Sequence, residues 1–211
     1  MQNPSFESYT ACPVRRYSED VDIIDFWRHG TVDGNLYFYH NDKCPDDSAD
    51  IDLNLPPPRP LPDGTGYISI SEEASNRQDS PEKSRYKNYA TQCLQTPVKK
   101  GIPYTFSFYA GFGIHQTISS FYALSPLKVA VFGNADCSAV PFGNANEGNG
   151  CPLNANTGWV LLGETEVSGY ENWVQGKINL VIPFDINVIA IGYDCSLPPI
   201  RFDNANGTAD A

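Results

Sequence analysis

The sequence of this 211-residue chain predicts an all-β fold, an antiparallel β-sandwich of the jelly-roll type held by disulfides. Short runs rich in β-branched and aromatic residues are separated throughout by turn residues, among them 17 glycines and 17 prolines. No long stretch repeats apolar residues at the helical period. At this length an all-β chain is commonly one domain. We therefore expect a single module over residues 1–205 and a tail or linker to a following domain over 206–211.

Residues 104–113 carry the clearest strand pattern. The aromatic side chains of Tyr104, Phe106 and Phe108 fall on one face, whereas hydroxyl-bearing or small residues and Tyr109 fall on the other. Strict alternation of this kind is typical of a strand with one face in a core and the other in solvent. A free face of this composition is a surface that a sheet can offer to a ligand.

Other strand-like runs lie on both sides of this segment. They are residues 23–27, 36–39, 67–71, 86–94, 128–133, 159–162, 173–182, 186–193 and 201–204. The run 186–191 is apolar on both faces apart from Asn187, which predicts a central strand covered on both sides. Residues 41–66, rich in aspartate and proline, and residues 134–158, rich in asparagine and glycine, are the irregular regions.

Six cysteines without a C-x-x-C pair indicate structural disulfides and an oxidising compartment. The expected pairs are Cys137 with Cys151, Cys12 with Cys44, and Cys93 with Cys195, although spacing alone does not fix the connectivity. Bridging the first pair would close a 15-residue loop and stabilise the fold by about 3 kcal/mol on the chain-entropy account. We therefore expect a secreted or cell-surface protein.

The net charge of the chain argues against two classes of binding partner. A formal net charge of −11 argues against nucleic acid, because phosphate binding needs clustered lysine and arginine. The same charge disfavours an anionic membrane surface. The sequence contains no run of apolar residues long enough to span a bilayer, so we expect no membrane insertion.

Residues suited to catalysis are not grouped in the sequence. A glycoside hydrolase needs two carboxylates that flank the scissile bond. The pairs Glu72–Glu73 and Glu164–Glu166 are more simply exposed charges, and the three histidines are isolated from any hydrolase motif. We expect a protein that is not an enzyme, with a β-sandwich hydrolase or lyase as a remaining alternative.

A candidate ligand site follows from the alternation along residues 173–182. Trp173 shares a face with Gln175, Lys177 and Asn179, and Tyr109 joins them if the two strands lie in one sheet. An aromatic ring covers the C–H face of a sugar, and amides and a cation bind its hydroxyls. The residues predict a shallow sugar-binding cleft centred on Trp173. The alternative is a rim tryptophan that caps the edge of the sandwich.

Several short motifs occur together along nearly the whole chain. They include Asn3-Pro-Ser-Phe-Glu7, Cys12-Pro13, Gly66-Tyr-Ile68, Tyr86-Lys-Asn-Tyr89, Gly150-Cys-Pro152, Gly158-Trp-Val-Leu-Leu-Gly163, Ile189-Ala-Ile-Gly192 and Phe202-Asp-Asn204. In this order they resemble the N-terminal β-sandwich modules of secreted and surface-attached Bacteroidota proteins of the gliding-motility-associated type. The paired Phe-Glu and Phe-Asp-Asn motifs near the two ends also resemble jelly-roll carbohydrate-binding and galactose-binding-like domains.

The resemblance implies a structural calcium ion near the chain termini. In such modules the N-terminal Phe-Glu and C-terminal Phe-Asp strands meet and share a cation with backbone carbonyls of a turn. The matching positions here are Glu7, Asp203 and the turn formed by Asp63, Gly64 and Thr65. Calcium prefers a shell of hard oxygen ligands of this kind.

Together these observations predict a non-catalytic carbohydrate-binding module of a secreted or cell-surface protein. Its expected partner is a glycan or polysaccharide, and we expect it to be one module of a larger multidomain protein. The alternatives are a calcium-dependent adhesion module for a protein or peptide, which would use the acidic region 42–63, and a structural spacer without a ligand.

Overall fold

A computed structural model describes residues 1–2, 4–10, 24–31, 36–40, 58–70, 72–74, 85–111, 121–123, 126–142, 150–155, 157–168, 172–196 and 202–204. Strands dominate these residues. In chain order they are β1 (Arg28–His29), β2 (Leu36–His40), β3 (Gly66–Ile70), β4 (Glu72–Ala74), β5 (Arg85–Lys87), β6 (Tyr89–Val98), β7 (Tyr104–Gly111), β8 (Phe121–Ala123), β9 (Leu127–Asn134), β10 (Val160–Val167), β11 (Trp173–Leu180), β12 (Ile186–Tyr193) and β13 (Phe202–Asn204). Two short 3-10 helices, Cys137–Ala139 and Pro152–Ala155, interrupt the segment between β9 and β10.

The largest sheet has five antiparallel strands in the order β1-β6-β12-β9-β10. β12 lies at its centre, where Ala190 faces Thr91 of β6 on one side and Phe132 of β9 on the other. Val188, Ile189 and Ala190 are all buried, so both faces of this strand are covered. The prediction of a central, covered strand is confirmed.

A second layer, the ribbon of β7 and β11, packs on one face of this sheet. The predicted alternation is confirmed over Thr105–Tyr109 and Gln175–Asn179, where exposed residues alternate with residues turned inward, whereas Gly111 and Trp173 at the end of the ribbon are partly buried. Phe106 and Ile178 of the ribbon join a cluster with Leu162 and Ile189 of the large sheet. Gly176 is needed between the layers, because a Cβ there would lie 2.2 Å from the ring of Phe108.

The opposite face of the large sheet is covered by aromatic residues of the segment between β9 and β10. Phe142 and Trp159 pack with Tyr89 and Phe132, and the rings of Phe142 and Trp159 are 4.8 Å apart. This irregular segment therefore builds core on the side of the sheet that the ribbon does not cover.

Disulfides fasten the same segment to the sheet, and their pairing corrects the sequence prediction. The bonds join Cys93 to Cys137 and Cys151 to Cys195, with Cα separations of 5.7 and 5.4 Å. The predicted Cys137–Cys151 and Cys93–Cys195 pairs are wrong. The physical reason is that each cysteine of the segment lies beside a sheet strand and not beside the other cysteine of its own loop. Cys12 and Cys44 lie outside the described residues.

The antiparallel pair of β2 and β3 packs over a third cluster. Trp27 and Phe38 are buried there with Ile24, and the ring of Phe6 lies 5.3 Å from that of Trp27. Antiparallel sheets packed against one another confirm the predicted all-β sandwich. The predicted strand over residues 23–27 is wrong over its described part, because Ile24 forms only an isolated bridge with Tyr9 and β1 begins at Arg28. The short strands β4 and β8 were not predicted, and β10 extends to Val167, beyond the predicted end of that run.

Candidate functional site

The outer face of the ribbon brings four of the five predicted ligand-binding residues together on exposed positions. The register between the strands places their Cα atoms in opposed pairs: Tyr109 with Gln175, Ser107 with Lys177, and Thr105 with Asn179. All six of these residues are exposed. The expectation that Tyr109 shares a sheet with the second strand is confirmed, and the face that results is polar around one aromatic ring. We call it the ribbon face.

Tyr109 is the aromatic residue of the ribbon face. Its side chain is 48% exposed, although residues before and after it in β7 are turned into the core. Directly across the strand pair lies the amide of Gln175. An exposed tyrosine beside an amide offers a flat apolar surface next to hydrogen-bonding groups.

Asn179 and Thr105 are joined across the far end of the ribbon face. The Thr105 hydroxyl donates a 3.1 Å hydrogen bond to Oδ1 of Asn179. This bond fixes the orientation of the amide and leaves its N–H groups as donors toward solvent. Thr105 and Ser107 belong to the face although the sequence reasoning did not select them, and the alternation along β7 is the signal that would have found them.

Trp173 lies at the edge of the ribbon face as a packed residue. Its indole N–H donates a 2.7 Å hydrogen bond to the carbonyl of Pro58, and its ring is 6.4 Å from that of Tyr67. It lies so close over Gly111 that a Cβ there would be 2.8 Å from the indole. These contacts are those expected of the rim tryptophan of the alternative interpretation, and a cleft centred on Trp173 stays a prediction. The exposed aromatic residue of the ribbon face is Tyr109.

The ribbon face carries one charged side chain among its six opposed residues, that of Lys177. None of the six is a carboxylate. At the end of the ribbon, outside this face, Lys99 lies 2.7 Å from Asp185. The hydrogen bond from the Lys99 side chain, followed by that from the Lys100 backbone, holds the pKa of Asp185 below its ordinary value.

A buried lysine elsewhere in the sandwich is satisfied by structural partners. The Lys87 ammonium donates to the carbonyl oxygens of Asp194 and Ser196 and lies 3.8 Å from Oδ1 of Asp194. A buried charge is tolerated when it is paired and hydrogen-bonded in this way. The arrangement ties β5 to the turn after β12 and explains why a lysine is buried at this position.

The predicted calcium residues come together in part. Glu7 does meet the turn that holds Gly64 and Thr65, as the resemblance implies. Oε1 of Glu7 accepts N–H bonds from Thr65 at 2.6 Å and Gly66 at 2.8 Å, and Oε2 accepts from the Thr65 hydroxyl at 3.1 Å. Gly64 has a φ of 59°, and a Cβ at this position would lie 2.3 Å from Oε1 of Glu7. The turn therefore binds a carboxylate with donors.

The described partners of Glu7 are hydrogen-bond donors, which satisfy its carboxylate oxygens. The turn offers N–H groups toward Glu7, whereas calcium needs oxygen ligands. Asp63 is exposed and its Oδ2 accepts a 2.7 Å bond from the Ser5 hydroxyl, and the side chain of Asp203 lies outside the described residues. Within the described ranges no group of three or more histidine, cysteine, aspartate or glutamate residues is placed to hold a metal. The calcium ion stays a prediction that rests on the resemblance.

The described part of the segment 134–158 packs on the face of the large sheet opposite the ribbon. In the part of the chain that the structure covers, helices are too short to cross a bilayer.

Comparison with known proteins identifies no relative of this chain. The chain matched no protein-family model, no curated protein and no solved structure. The likeness to surface modules of Bacteroidota and to galactose-binding-like domains thus stays a resemblance of motifs, and the function has to be argued from the ribbon face itself.

Proposed function

We propose that the chain is a non-catalytic carbohydrate-binding module whose binding surface is the ribbon face. The observation that carries the proposal is the exposure of Tyr109 directly opposite Gln175, with Lys177 in the next outward-facing pair of the ribbon. A sugar ring stacked on the phenol would place its hydroxyls over the amide, the ammonium and the hydroxyl of Ser107.

The packed residues beneath the ribbon face favour its use as a sugar-binding surface. The ribbon is held from below by Phe106, Phe108 and Ile178, so its outer residues are presented by packed strands and not by a loop. The flat, open shape suits a polysaccharide chain that lies across the strands. Sugar hydroxyls give up good hydrogen bonds to water on binding, so we expect micromolar to millimolar affinity.

The same face offers no means of cleaving the sugar. General acid–base catalysis needs a titratable group within hydrogen-bond reach of the scissile bond. None of the six opposed residues of the ribbon face is an aspartate, glutamate or histidine. A surface that holds a sugar without such a group is a binding surface.

The proposal includes the setting of the protein. The two described disulfides favour an oxidising environment, so we infer a secreted or cell-surface location. Surface polysaccharides and extracellular glycans are present there. Within a larger multidomain protein, a weak module of this kind would raise the residence of its neighbours on the polymer.

A glycan array tests the proposed function. The whole chain should give saturable binding to at least one polysaccharide family, and Tyr109→Ala should weaken that binding while its thermal unfolding stays that of the parent. The array is run with calcium and with EDTA. Absence of binding to every glycan in both buffers would contradict the proposal, and release of shortened products would instead indicate a hydrolase or lyase.

A further inference from the structure

We propose that the ribbon face selects sugars that carry an anionic group, a carboxylate or a sulfate ester, and that Lys177 is the residue that recognises it. The inference rests on the proposed carbohydrate-binding function and names the substrate class of the same site. It follows from the position and the charge environment of one ammonium group.

Lys177 stands in the middle of the ribbon face. It is exposed, it lies opposite Ser107, and its neighbours on the same side of β11 are Gln175 and Asn179. In an antiparallel pair, side chains on diagonal positions lie within reach of one another when they are long. The ammonium of Lys177 can therefore reach a substituent of a ring stacked on Tyr109.

Three of the four other lysines that the structure describes have carboxylate partners, whereas Lys100 meets Asp185 only through its backbone N–H. Lys99 pairs with Asp185, Lys128 with Glu164 at 3.7 Å, and buried Lys87 with Asp194. Within the described residues no carboxylate lies within ion-pairing distance of Lys177. An exposed cation without a protein partner has its charge available for a ligand.

The surroundings make this cation unusual for the protein. The chain carries 25 acidic against 14 basic residues, yet the six opposed residues of the ribbon face contain no acidic one. A carboxylate on this face would neutralise Lys177 and repel an anionic sugar. Exposed Glu164 and Glu166 lie on β10, which contacts β11, so they oppose the binding of an anionic sugar over the screening length of about 8 Å at physiological salt, and Lys177 has to offset them.

The chemistry of the flanking groups fits an anionic substituent. A carboxylate or sulfate accepts hydrogen bonds only, and the ammonium of Lys177 together with the Ser107 hydroxyl supplies donors side by side. A charge-assisted hydrogen bond is stronger than a neutral one. A neutral sugar would gain the stacking on Tyr109 but would leave the ammonium without a counter-ion.

Polygalacturonate and its methyl ester provide the test, because they share a backbone and differ in charge. We expect the parent chain to bind the acid form about fivefold more tightly than the ester in affinity electrophoresis or calorimetry. A sulfated galactan and its desulfated form make a second matched pair, and the pair with the larger preference shows whether carboxylate or sulfate is the group recognised.

Two variants test whether Lys177 causes the preference for the charged polymer. Lys177→Gln should lose the preference in both pairs and keep the binding of the uncharged polymer, and the difference between parent and variant should shrink as salt is raised. Lys100→Gln is the control, because Lys100 is an exposed lysine in the turn before β7, and it should leave the preference unchanged. Circular dichroism should show the same unfolding transition for both variants and the parent.

The outcomes separate this inference from the proposed function. If the parent binds charged and uncharged polymers equally, or if Lys100→Gln removes the preference as fully as Lys177→Gln, the assignment to Lys177 is overturned and the sugar-binding function stands. If neither these polymers nor any glycan on the array binds, the proposed function itself fails and this inference fails with it.

Discussion

The indole N–H of Trp173 donates its hydrogen bond to the carbonyl of Pro58, a residue 115 positions earlier in the chain. This contact fastens the proline-rich segment to the end of the β7–β11 ribbon. It also removes the indole N–H from the groups that a ligand can use. The contact therefore sets where the ribbon face ends.

Replacing Trp173 by phenylalanine should destabilise the fold and spare sugar binding. The variant keeps an aromatic ring over Gly111 but leaves the carbonyl of buried Pro58 without its donor, which costs about 1–3 kcal/mol. Urea unfolding measures the loss. Gln175→Ala, one pair away on the exposed face, is the control and should change stability by about 0.5 kcal/mol or less. A Trp173→Phe variant as stable as the parent would contradict the packing role.

Glu7→Gln should lower stability, because two backbone N–H donors would lose a charged acceptor and face an amide. The expected loss is about 1–3 kcal/mol. Gly64→Ala should lower it as well, since its φ of 59° and the 2.3 Å approach to Oε1 of Glu7 leave no room for a Cβ.

Thermal melts of the Glu7 variant in calcium and in EDTA decide whether an ion takes part. If the described donors alone hold the carboxylate, the difference in Tm between parent and Glu7→Gln is the same in both buffers. A larger difference in calcium would support the ion that the resemblance implies, since loss of a ligand bound to the native state lowers apparent stability.

The disulfide connectivity is directly measurable. Non-reducing peptide mapping should return the Cys93–Cys137 and Cys151–Cys195 linkages. Each bond ties the irregular segment between β9 and β10 to the large sheet, so removing one pair by serine substitution should cost about 2–5 kcal/mol. Recovery of a peptide that links Cys137 to Cys151 would show that the segment does not lie on the sheet as described.

Asp185 should contribute to stability at neutral pH and lose that contribution in acid. The Lys99 side chain and the Lys100 backbone lower its pKa in the folded state, so the ionised form is favoured by folding. Its contribution is present above the unfolded pKa of about 4 and is lost as the pH falls through the lower folded value. Parent and Asp185→Asn should therefore differ in Tm at pH 7 and converge near pH 2. Glu166→Gln, an exposed carboxylate on β10, is the control. A Tm difference that persisted unchanged near pH 2 would contradict the ionic origin.

The sequence was sufficient to predict where side chains alternate along a strand and on which face each residue lies. Alternation in β7 and β11 correctly separated Tyr109 and Lys177 from Phe106 and Ile178, because the side-chain period of a strand is fixed by its geometry. The apolar composition of β12 on both faces likewise predicted its central place. These features depend on neighbours within a few residues.

Contacts between distant segments were not predictable in the same way. Nothing near Trp173 in the sequence indicates that Pro58 and Tyr67 cover it. The cysteine pairs were misassigned for the same reason, since Cys137 and Cys151 are close in sequence but Cys137 bonds to Cys93 within β6 and Cys151 to Cys195 just after β12. The motif resemblance placed Glu7 at the correct turn, but only the structure shows that the turn meets it with N–H groups.

The exposed ring of Tyr109 carries the central claim, and a calorimetric titration with the polysaccharide that gives the strongest array signal tests it most directly. Tyr109→Ala should bind about tenfold more weakly than the parent, because stacking on the ring is lost while the core side of β7 is unchanged. Leu153→Ala, which is 42% exposed in the segment outside the ribbon face, is the control and should bind as the parent does. Unchanged affinity for Tyr109→Ala, or an equal loss for Leu153→Ala, would contradict the assignment of the ribbon face as the sugar-binding surface.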